Sequence, residues 1–466
     1  MKRLLLICLI VAAANQLLHA QGWTELGIGS HALNANIDIT AVCTDAGGIV
    51  YTAGYFTDGA SYTSGHPYVA KWDGTSWSKL GAGSNVPDSF INTMCLDKYH
   101  NLYAAGGFTD ANGKQYVAKW NGTMWSELGT GANALNANHP IYTLCADDEG
   151  NIYAAGLFTD GPDAATGYRY VAKWDGTTWS KLGTGVNALN PNGEITSIVA
   201  DHDGNVYAAG VFLNAPGGYY YVAKWNGTTW GELGTGSNAL NANSYITTMC
   251  KDTADNIFVG GNFKDGSGKT YVAKWNGSTW SELGAGANAL NGEGTIFSLC
   301  TDVWGNVFAA GRLFYAIGDY YVAKWDGTAW GGTGSGSNAL NANAVILSLC
   351  TDNSGNLYAA GEFTDSLDYD KGHQYVAKYA GSNLGINSFA VTNNLLTVYP
   401  NPSSSLLIVC VPEPITNQDY VIYDLSGKPV LSGKLAGKYT YLNVSRLPSG
   451  SYLLRAGACV DQFEKQ

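Results

Sequence analysis

Short stretches in which apolar and polar residues alternate follow one another along most of the chain, separated by turns that contain glycine. In Ile246-Thr-Thr-Met-Cys250 β-branched residues alternate with others, and a Gly-Asn turn precedes a second, largely apolar run such as Ile152-Tyr-Ala-Ala-Gly-Leu-Phe158. Tyr68-Val-Ala-Lys-Trp72 leads through an Asp-Gly pair to Trp77-Ser-Lys-Leu-Gly81. Alternation indicates strands, and Asp-Gly between two such runs is a strong hairpin signal. The pattern predicts β-strands joined by tight turns, with no helical period between them.

These strands form a unit of four that repeats along the chain. The Tyr-Val-Ala-Lys segment returns at intervals of about 50 residues, which is typical of repeat architectures. Its copies start at Tyr68, Tyr116, Tyr170, Tyr221, Tyr271, Tyr321 and Tyr375. The block Ile-x-x-Leu-Cys-x-Asp-x-x-Gly-Asn-x-Tyr-Ala-Ala-Gly-x-Phe, clearest at residues 141–158, also recurs once in each unit. Four-stranded antiparallel units with this period are blades of a β-propeller.

The incomplete units at the two ends of the repeated region complete each other. The first copy of the fourth strand, Trp23-Thr-Glu-Leu-Gly27, precedes any complete unit, whereas the last unit ends at Tyr379-Ala-Gly381 without that strand. If the N-terminal strand becomes the outer strand of the last blade, the ring closes and no sheet edge stays free. We therefore predict an all-β fold, a seven-bladed β-propeller over residues 21–382 that is closed by its N-terminal strand.

Composition agrees with many turns and few helices. The chain has 60 glycines among 466 residues, about 13% where about 7% is usual, and its charged residues make up 13% where about 25% is usual. The 14 tryptophans and 30 tyrosines exclude a disordered glycine-rich chain. A net charge of -12, with the basic residues scattered singly, repels phosphate groups. We predict no nucleic-acid partner and no binding to anionic membranes.

The N-terminus has the pattern of a secretory signal peptide. Lys2 and Arg3 precede an apolar run from Leu4 to Ala14, and Leu18-His19-Ala20 ends in a small residue. This run is too short to span a bilayer, and no other stretch reaches the roughly 20 apolar residues of a membrane helix. We predict a signal peptide at residues 1–20, export into the periplasm, and no transmembrane segment in the mature chain.

The pattern changes near the C-terminus. A linker rich in glycine, serine and asparagine, which we place at residues 383–394, leads to residues 395–466, where the repeat is absent. Apolar residues alternate or cluster in Leu406-Leu-Ile-Val-Cys-Val411, Tyr420-Val-Ile-Tyr423 and Tyr452-Leu-Leu454. Short strands of this kind predict a small β-sandwich.

Three motifs in this C-terminal region resemble the type A sorting domain of type IX (Por) secretion. They are Val398-Tyr-Pro-Asn-Pro402, Ile422-Tyr-Asp-Leu-Ser-Gly-Lys428 and Leu442-Asn-Val-Ser-Arg-Leu-Pro-Ser-Gly-Ser-Tyr-Leu-Leu454. The sorting-motif positions are Tyr399, Pro400, Asn401, Pro402, Gly427, Lys428, Pro448 and Gly450. The resemblance implies that the type IX machinery is a partner. It also implies a protein that is secreted or displayed on the outer-membrane surface of a Gram-negative bacterium.

The repeated Ala-x-Trp-Asp/Asn-Gly-x-x-Trp core resembles that of secreted bacterial kelch-like seven-bladed β-propellers. The Val259-Gly-Gly261 step, followed by Tyr271 and Trp275, carries the kelch likeness. In the other units Ala-Ala-Gly or a similar triplet replaces the Gly-Gly step. The likeness spans the ring but concerns scaffold residues, so it implies a fold and no particular ligand.

Cysteines occur in two settings. One repeat position, at which the fourth unit has Val199, is occupied by Cys43, Cys95, Cys145, Cys250, Cys300 and Cys350. We expect equivalent residues of neighbouring blades to lie too far apart for disulfide bonds, and the valine substitute predicts small buried hydrophobic side chains. Cys410 and Cys459 lie on two predicted strands of the small domain, where a disulfide bond and two free thiols are both open.

One aspartate and one lysine recur in every unit. The aspartates are Asp45, Asp97, Asp147, Asp201, Asp252, Asp302 and Asp352, and the lysines are Lys71, Lys119, Lys173, Lys224, Lys274, Lys324 and Lys378. A catalytic carboxylate is needed once or twice, so this repetition predicts a scaffold role, either capping a turn or pairing with a partly buried lysine. Asp201-His-Asp-Gly-Asn205 lacks the twelfth-position carboxylate of a calcium loop, and we interpret it as a hairpin turn. No cofactor is predicted, and calcium binding is left open.

Variation within the repeat is concentrated in the loops between the second and third strands. These loops share one face of the predicted ring with the crossings between blades, whereas the short turns share the other face. The candidate ligand-binding residues on them are Tyr62, His66, Tyr168, Arg169, Tyr219, Tyr220, Arg312, Tyr315, Tyr369 and Asp370. Tyrosine, arginine and acids on the loops of a rigid scaffold suit recognition of glycan or protein, although solvated loops without a ligand fit as well.

Catalysis has little support, because the chain contains no nucleophile-elbow, phosphate-binding or metalloprotease motif. We favour a secreted or cell-surface binding protein whose loop-rich face engages glycan or protein. One alternative is an extracellular polysaccharide hydrolase or lyase that uses loop carboxylates such as Asp163, Asp319 or Asp370. Another is a purely structural surface protein. A propeller hosts many unrelated activities, so the fold alone does not choose among these hypotheses.

Overall fold

The chain forms two compact units, residues 1–383 and residues 384–466. The computed structural model describes residues 22–61, 63–81, 87–162, 167–214, 217–290, 292–314, 320–334, 339–366, 372–380, 397–399, 403–410, 419–424, 428–437, 439–456 and 459–465. Over these ranges the regular elements are β-strands and three-residue 3-10 turns. The expected signal peptide and the expected linker lie outside the described residues.

The first unit consists of sheets of four antiparallel strands. In chain order its strands are β1 (Trp23–Glu25), β2 (Ile39–Thr44), β3 (Val50–Gly54), β4 (Ala70–Trp72), β5 (Trp77–Lys79), β6 (Ile91–Leu96), β7 (Leu102–Gly106), β8 (Ala118–Trp120), β9 (Trp125–Glu127), β10 (Ile141–Ala146), β11 (Ile152–Gly156), β12 (Ala172–Trp174), β13 (Trp179–Lys181), β14 (Ile195–Ala200), β15 (Val206–Gly210), β16 (Ala223–Trp225), β17 (Trp230–Glu232), β18 (Ile246–Lys251), β19 (Ile257–Gly261), β20 (Ala273–Trp275), β21 (Trp280–Glu282), β22 (Ile296–Thr301), β23 (Val307–Gly311), β24 (Ala323–Trp325), β25 (Trp330–Gly332), β26 (Ile346–Thr351), β27 (Leu357–Gly361) and β28 (Ala377–Tyr379). The 3-10 turns lie in the crossings between blades, at Gly29–His31, Gly131–Asn133, Gly185–Asn187, Gly236–Asn238 and Gly286–Asn288.

These strands form seven blades in a closed ring. Blade 1 is β2–β5, and each following set of four strands is the next blade, up to β22–β25 in blade 6. Blade 7 combines β26, β27 and β28 with β1, whose Trp23 pairs with Tyr379 in antiparallel register. The first strands of neighbouring blades contact one another, and β26 contacts β2, so first strands surround the axis and the ring is complete. The predicted seven-bladed propeller and its closure by the N-terminal strand are both confirmed.

The second strand of every blade is buried along its whole length. All five residues of β7, which reads Leu-Tyr-Ala-Ala-Gly, are buried, and its equivalents show the same pattern. Both faces of such a strand pack on neighbouring blades, which is why its sequence does not alternate between apolar and polar residues. The core of the ring is accordingly shared between blades: Tyr103 and Ala105 of blade 2 belong to one cluster with Ile141 and Ile152 of blade 3.

A tryptophan at the start of each fourth strand joins its blade to the preceding one. Its indole N–H donates to the backbone carbonyl that follows the fourth strand of the neighbouring blade. The pairs are Trp77–Leu26, Trp125–Leu80, Trp179–Leu128, Trp230–Leu182, Trp280–Leu233 and Trp330–Leu283, at 2.6–3.0 Å. Trp23 makes the seventh bond, to the Thr333 carbonyl at 3.2 Å, so the N-terminal strand is bonded to its neighbour like any other fourth strand.

The six repeated cysteines are free thiols that pack as small hydrophobic side chains. Each contacts the core of an adjacent blade; Cys95, for example, packs against the cluster around Ile141. Burial raises the pKa of the Cys43 thiol to about 12, with a further contribution from Asp45, so this thiol stays protonated at neutral pH. The cysteines thus pack as the predicted small hydrophobic side chains, but they are partly and not fully buried.

The second unit is a small β-sandwich. Its strands are β29 (Thr397–Tyr399), β30 (Leu406–Cys410), β31 (Asp419–Asp424), β32 (Pro429–Lys434), β33 (Tyr439–Asn443), β34 (Gly450–Ala456) and β35 (Cys459–Lys465). One sheet has the order β29-β30-β33 and the other β32-β31-β34-β35, and one core cluster, with Leu407, Ile422 and Phe463, draws on both. Cys410 and Cys459 lie on strands of different sheets; their side chains are outside the described part of the chain, so the disulfide bond stays a prediction.

Candidate functional site

The two faces of the ring differ in how their connections are built. Because the strands are antiparallel, the turns between strands one and two and between strands three and four share one face, which we call the turn face. The loops between strands two and three and the crossings between blades share the opposite face, the loop face. Loop and crossing are tied together: the Asn138 amide accepts from the Thr159 N–H at 2.9 Å and donates to the Thr159 hydroxyl and the Gly161 carbonyl. Asn36 and Asn343 make the same set of contacts.

The repeated aspartate caps a tight turn on the turn face. One oxygen of Asp97 accepts the backbone N–H groups of Tyr99 and Asn101, and the other accepts from the Asn101 amide and the Tyr103 hydroxyl, all within 2.7–3.0 Å. Asp147, Asp201 and Asp352 make the same four contacts. Turn capping, one of the two predicted roles, is confirmed, and the Asp201 segment is a hairpin turn of this kind.

The repeated lysine contacts an aromatic ring. Its ammonium group lies 5.3–5.9 Å from the centre of the ring on the second strand, in the pairs Lys119–Tyr103, Lys173–Tyr153, Lys224–Tyr207, Lys274–Phe258, Lys324–Phe308 and Lys378–Tyr358. A cation over the ring face is a favourable arrangement. In four of these pairs the aromatic residue is the tyrosine whose hydroxyl donates to the turn-capping aspartate, so the lysine belongs to the scaffold.

Close to the axis, the loop face carries a ring of paired positions that we call the axial rim. In every blade, the residue after the second strand donates its backbone N–H to the carbonyl of the residue before the first strand, at 2.8–3.1 Å. The pairs are Tyr55–Asp38, Gly107–Phe90, Leu157–Pro140, Val211–Glu194, Asn262–Tyr245, Arg312–Thr295 and Glu362–Val345. The backbone is thus the same in all seven blades while the side chains differ in every one.

Aromatic side chains form part of this rim. The rings of Tyr55 and Phe90 stack, with their centres 5.2 Å apart and their planes at 14°, and Tyr55 is 42% exposed. The guanidinium of Arg312 lies over the Phe297 ring at 5.9 Å, and Phe297 follows the first residue of β22. Tyr142 holds the equivalent place in β10 and is partly buried. Stacked rings with exposed area present a flat apolar surface that is fixed before a ligand arrives.

Carboxylates lie beside these rings. Burial raises the pKa of Asp38 above its ordinary value. Burial also raises the pKa of Glu362, the charge of Asp38 raises it further, and Arg312 counteracts both. The pKa of Tyr142 is raised by burial and by Glu194 and Tyr55, and lowered in part by Arg169. The rim therefore combines aromatic surface, acids and two arginines in one electrostatically connected group.

The predicted loop residues divide among three places. Arg312 belongs to the axial rim, and Arg169 acts on it through Tyr142. His66, Tyr168 and Tyr219 are exposed at equivalent loop positions of blades 1, 3 and 4, where their backbone N–H groups are bound by Asp58, Asp160 and Asn214. Tyr220 is partly buried and packs against the core of blade 5, which leaves little of its ring for a ligand. Tyr62, Tyr315, Tyr369 and Asp370 lie outside the described residues.

Asp38, Tyr55, Phe90, Tyr142 and Glu362 were missed by the sequence reasoning, which looked for variation in long loops. The available signal was the variable middle position of the Gly-x-Phe step, where Tyr55 and Glu362 stand; Arg312 holds the same position in blade 6, where the step reads Gly-Arg-Leu. A side chain that changes in every copy of a constant segment occupies a position that the scaffold does not need. The loop carboxylates Asp163 and Asp319 also lie outside the described residues.

Within the described part of the chain, no group of three or more His, Cys, Asp or Glu side chains has the arrangement of a metal site. No helix among those residues is long and apolar enough to cross a membrane.

Solved structures similar to this chain include several β-propellers. The extracellular domain of BT4673 from B. thetaiotaomicron has 14% identity and a TM-score of 0.49, over 86% of this chain and 45% of that one. PorZ, a surface component of the type IX secretion system of Porphyromonas gingivalis, has 14% identity and a TM-score of 0.40, over 92% and 66%. The β-propeller domain of the trilobed protease from Pyrococcus furiosus has 8% identity and a TM-score of 0.49, over 74% and 96%. Similarities at this level say nothing about ligand or activity.

The chain spans about half to two thirds of the length of the first two of these proteins. A comparison with curated proteins gave no match. The special likeness to kelch propellers stays a prediction. Residues 397–465, in contrast, match the family model of the secretion system C-terminal sorting domain. The chain therefore carries a type IX sorting domain at its C-terminal end, which indicates a secreted or cell-surface protein.

Proposed function

We propose that this secreted or surface β-propeller is a binding protein that engages an extracellular glycan or protein through its axial rim. The observation that carries the proposal is the rim itself, because seven pairs of residues in one repeated backbone arrangement carry seven different sets of side chains. Variation on a fixed scaffold is typical of recognition surfaces.

The chemistry of the rim supports a ligand with both apolar and polar groups. The Tyr55–Phe90 stack offers a flat surface to the face of a sugar or to a side chain. Asp38 and Glu362 offer acceptors for hydroxyl or amide groups, and Arg312 offers donors. Few-residue clusters of tyrosine and arginine account for most of the binding energy in typical interfaces.

The proposal is tested by binding of the mature chain to arrays of glycans and of cell-surface proteins, followed by single variants. Tyr55→Ala, Arg312→Ala and Glu362→Gln should each weaken binding tenfold or more, about 1.4 kcal/mol. Tyr168→Ala and Tyr219→Ala are the matched controls, because they remove exposed tyrosines from the loop tips of the same face. If the two controls lose binding and the three rim variants do not, the site lies at the loop tips and not at the rim. Unchanged binding in all five would show that neither the rim nor these loop tips hold the ligand.

The alternative enzyme function has one observation in its favour. Asp38 and Glu362 are two carboxyls that do not belong to the repeated set, and both have raised pKa values beside each other at the rim. A proton-donating carboxyl with a raised pKa is a feature of polysaccharide hydrolysis. Release of reducing ends or of unsaturated products from a polysaccharide panel, abolished in Asp38→Asn and in Glu362→Gln, would support this function. If no polysaccharide of the panel yields a product, the enzyme function is excluded and the binding function stands.

A further inference from the structure

The outer margin of the loop face carries the same pocket in three consecutive blades. The pockets have volumes of about 370 Å³ in blade 3, about 250 Å³ in blade 4 and about 300 Å³ in blade 5. They are built at equivalent positions of the repeat, and none of them includes a residue of the axial rim. These three cavities are called the margin pockets below.

One wall of each margin pocket is apolar and aromatic. It is formed by the Ala-Leu pair of the crossing, the tyrosine before the third strand and the tryptophan that begins the fourth strand. The residues are Ala134, Leu135, Tyr170 and Trp179 in blade 3; Ala188, Leu189, Tyr221 and Trp230 in blade 4; and Ala239, Leu240, Tyr271 and Trp280 in blade 5. Each tryptophan is held by its N–H bond to the preceding blade, at 2.7–2.8 Å. The aromatic wall is therefore fixed in the absence of a ligand.

The other end of each pocket is polar and differs between blades. In blade 3, Lys181 forms an ion pair of 2.5 Å with Asp160. In blade 4, both carboxylate oxygens of Glu232 accept from the Asn214 amide at 3.1 Å. In blade 5, burial and the neighbouring charge of Asp265 raise the pKa of Glu282. The pockets thus share one apolar wall and vary in the polar groups that would fix the orientation of a ligand.

We propose that each margin pocket binds one neutral sugar ring, so that the three together hold an extended neutral polysaccharide. A sugar has an apolar face that suits the aromatic wall and hydroxyl groups that donate to carboxylate and amide oxygens. The volumes, about 250 to 370 Å³, lie just below or at the lower end of the roughly 300–1,000 Å³ of small-molecule sites, which fits a single ring. Glu232 in blade 4, Asp265 and Glu282 in blade 5 and the net charge of -12 disfavour uronic or sulfated sugars, whereas Asp160 in blade 3 is balanced by Lys114 and Lys181.

Repetition decides the strength of such a site. One open pocket of this size binds weakly, but three pockets on adjacent blades can engage separate units of one polymer chain at high effective concentration. Linked sites of this kind can exceed the affinity of one site by about 10²–10⁴. This inference is independent of the axial rim, because the two sites share no residue.

The test uses substitutions that fill the pockets with larger side chains and leave their polar residues and their tryptophans unchanged. Ala134, Ala188 and Ala239 line the three cavities and have extended backbone that any residue adopts. The triple variant Ala134→Tyr, Ala188→Tyr, Ala239→Tyr is compared with the control Ala132→Tyr, Val186→Tyr, Ser237→Tyr, which adds the same side chains two residues earlier, at exposed positions of the same 3-10 turns. Circular dichroism and the urea midpoint verify that both variants stay folded.

Binding is measured on immobilised mannan, galactan and laminarin as neutral polymers and on alginate as the anionic comparison. We expect the parent and the control to bind at least one neutral polymer and not alginate, a single filled pocket to weaken binding several-fold, and the filled triple to weaken it 100-fold or more. Asp148→Ala, which alters an exposed side chain on the turn face, should leave this binding unchanged. The proposal is overturned if no neutral polymer binds, if alginate binds as well as the neutral polymers, or if the filled triple binds like the parent.

Discussion

At the scale of single residues, repetition separates scaffold from function. The aspartate, lysine, tryptophan and cysteine that recur in the blades all have structural contacts, with turn, ring, neighbouring carbonyl and core respectively. Residues that change between blades have no such shared contact. The side chains of the axial rim belong to this second group, and they are the ones that a ligand could use without weakening the ring.

The turn-capping aspartate should contribute measurably to stability. Asp97 is 6% exposed and holds two backbone N–H groups, an amide and the Tyr103 hydroxyl. Asp97→Ala leaves these donors without their acceptor, and we expect the free energy of unfolding to fall by about 3 kcal/mol. Urea denaturation followed by tryptophan fluorescence measures the change. The control Asp148→Ala alters an exposed residue of the equivalent turn in blade 3 and should stay within about 0.5 kcal/mol of the parent.

The raised pKa values at the rim predict a pH dependence with a definite sign. A carboxyl whose pKa is higher in the folded than in the unfolded protein adds stability below its unfolded pKa, about 3.9 for aspartate, and loses that contribution as pH rises through the folded value. Asparagine does not ionise, so Asp38→Asn does not lose this contribution. The stability of the variant relative to the parent should therefore be greater at pH 7 than at pH 4. Urea midpoints at the two pH values give the comparison, with Asp148→Asn as the exposed control. If the urea midpoints of Asp38→Asn and the parent differ by the same amount at pH 4 and at pH 7, the raised pKa of Asp38 is contradicted.

At the scale of elements, the N-terminal strand determines whether the ring is closed. β1 has three residues, but it pairs with β28, and its Trp23 packs against the core of blade 7 and bonds to blade 6. Short strands rarely hold by backbone pairing alone. The tryptophan contacts are therefore the main reason that this strand stays in place.

Trp23→Ala should destabilise the ring about as much as the same change within a continuous blade. We expect a loss of about 3 kcal/mol, because a large aromatic side chain and one hydrogen bond are removed. Trp77→Ala, at the equivalent position of blade 1, is the matched comparison. If thermal unfolding shows no effect for Trp23→Ala and a large one for Trp77→Ala, the closing strand does not contribute to the stability of the folded ring.

Much of the element level could be predicted from the sequence, because hairpin turns and strand periods are local properties. The seven blades, the closure by Trp23 and the turn role of Asp97 all follow from short segments. The axial rim could not be predicted in this way, because the charge of Asp38 in blade 1 acts on Glu362 of blade 7, and Tyr55 of blade 1 acts on Tyr142 of blade 3, only when the ring closes. The lysine contact was missed for a related reason. Lys119 lies on the third strand of its blade, whereas the ring that it contacts, Tyr103, lies on the second strand and is distant along the sequence.

At the scale of the whole molecule, export and the proposed ligand binding belong to separate units. The ring and the sandwich have separate cores, and Leu407, Ile422 and Phe463 of the sandwich core belong to no cluster of the ring. A separate core means that the ring should fold without the C-terminal unit. The match of residues 397–465 to the sorting domain then assigns export to the smaller unit.

Deletion of residues 395–466 should therefore change location and not the fold of the ring. We expect the shortened protein to collect in the periplasm, because the sorting domain is the part that the type IX machinery handles, while its unfolding midpoint stays that of the full chain. Fractionation with protease accessibility on whole cells measures location, and circular dichroism of the purified ring measures the fold. Replacing the deleted segment by an unrelated β-sandwich of equal size is the matched control, and it should also be retained. Surface exposure of either shortened or replaced protein would mean that the ring itself carries the export signal.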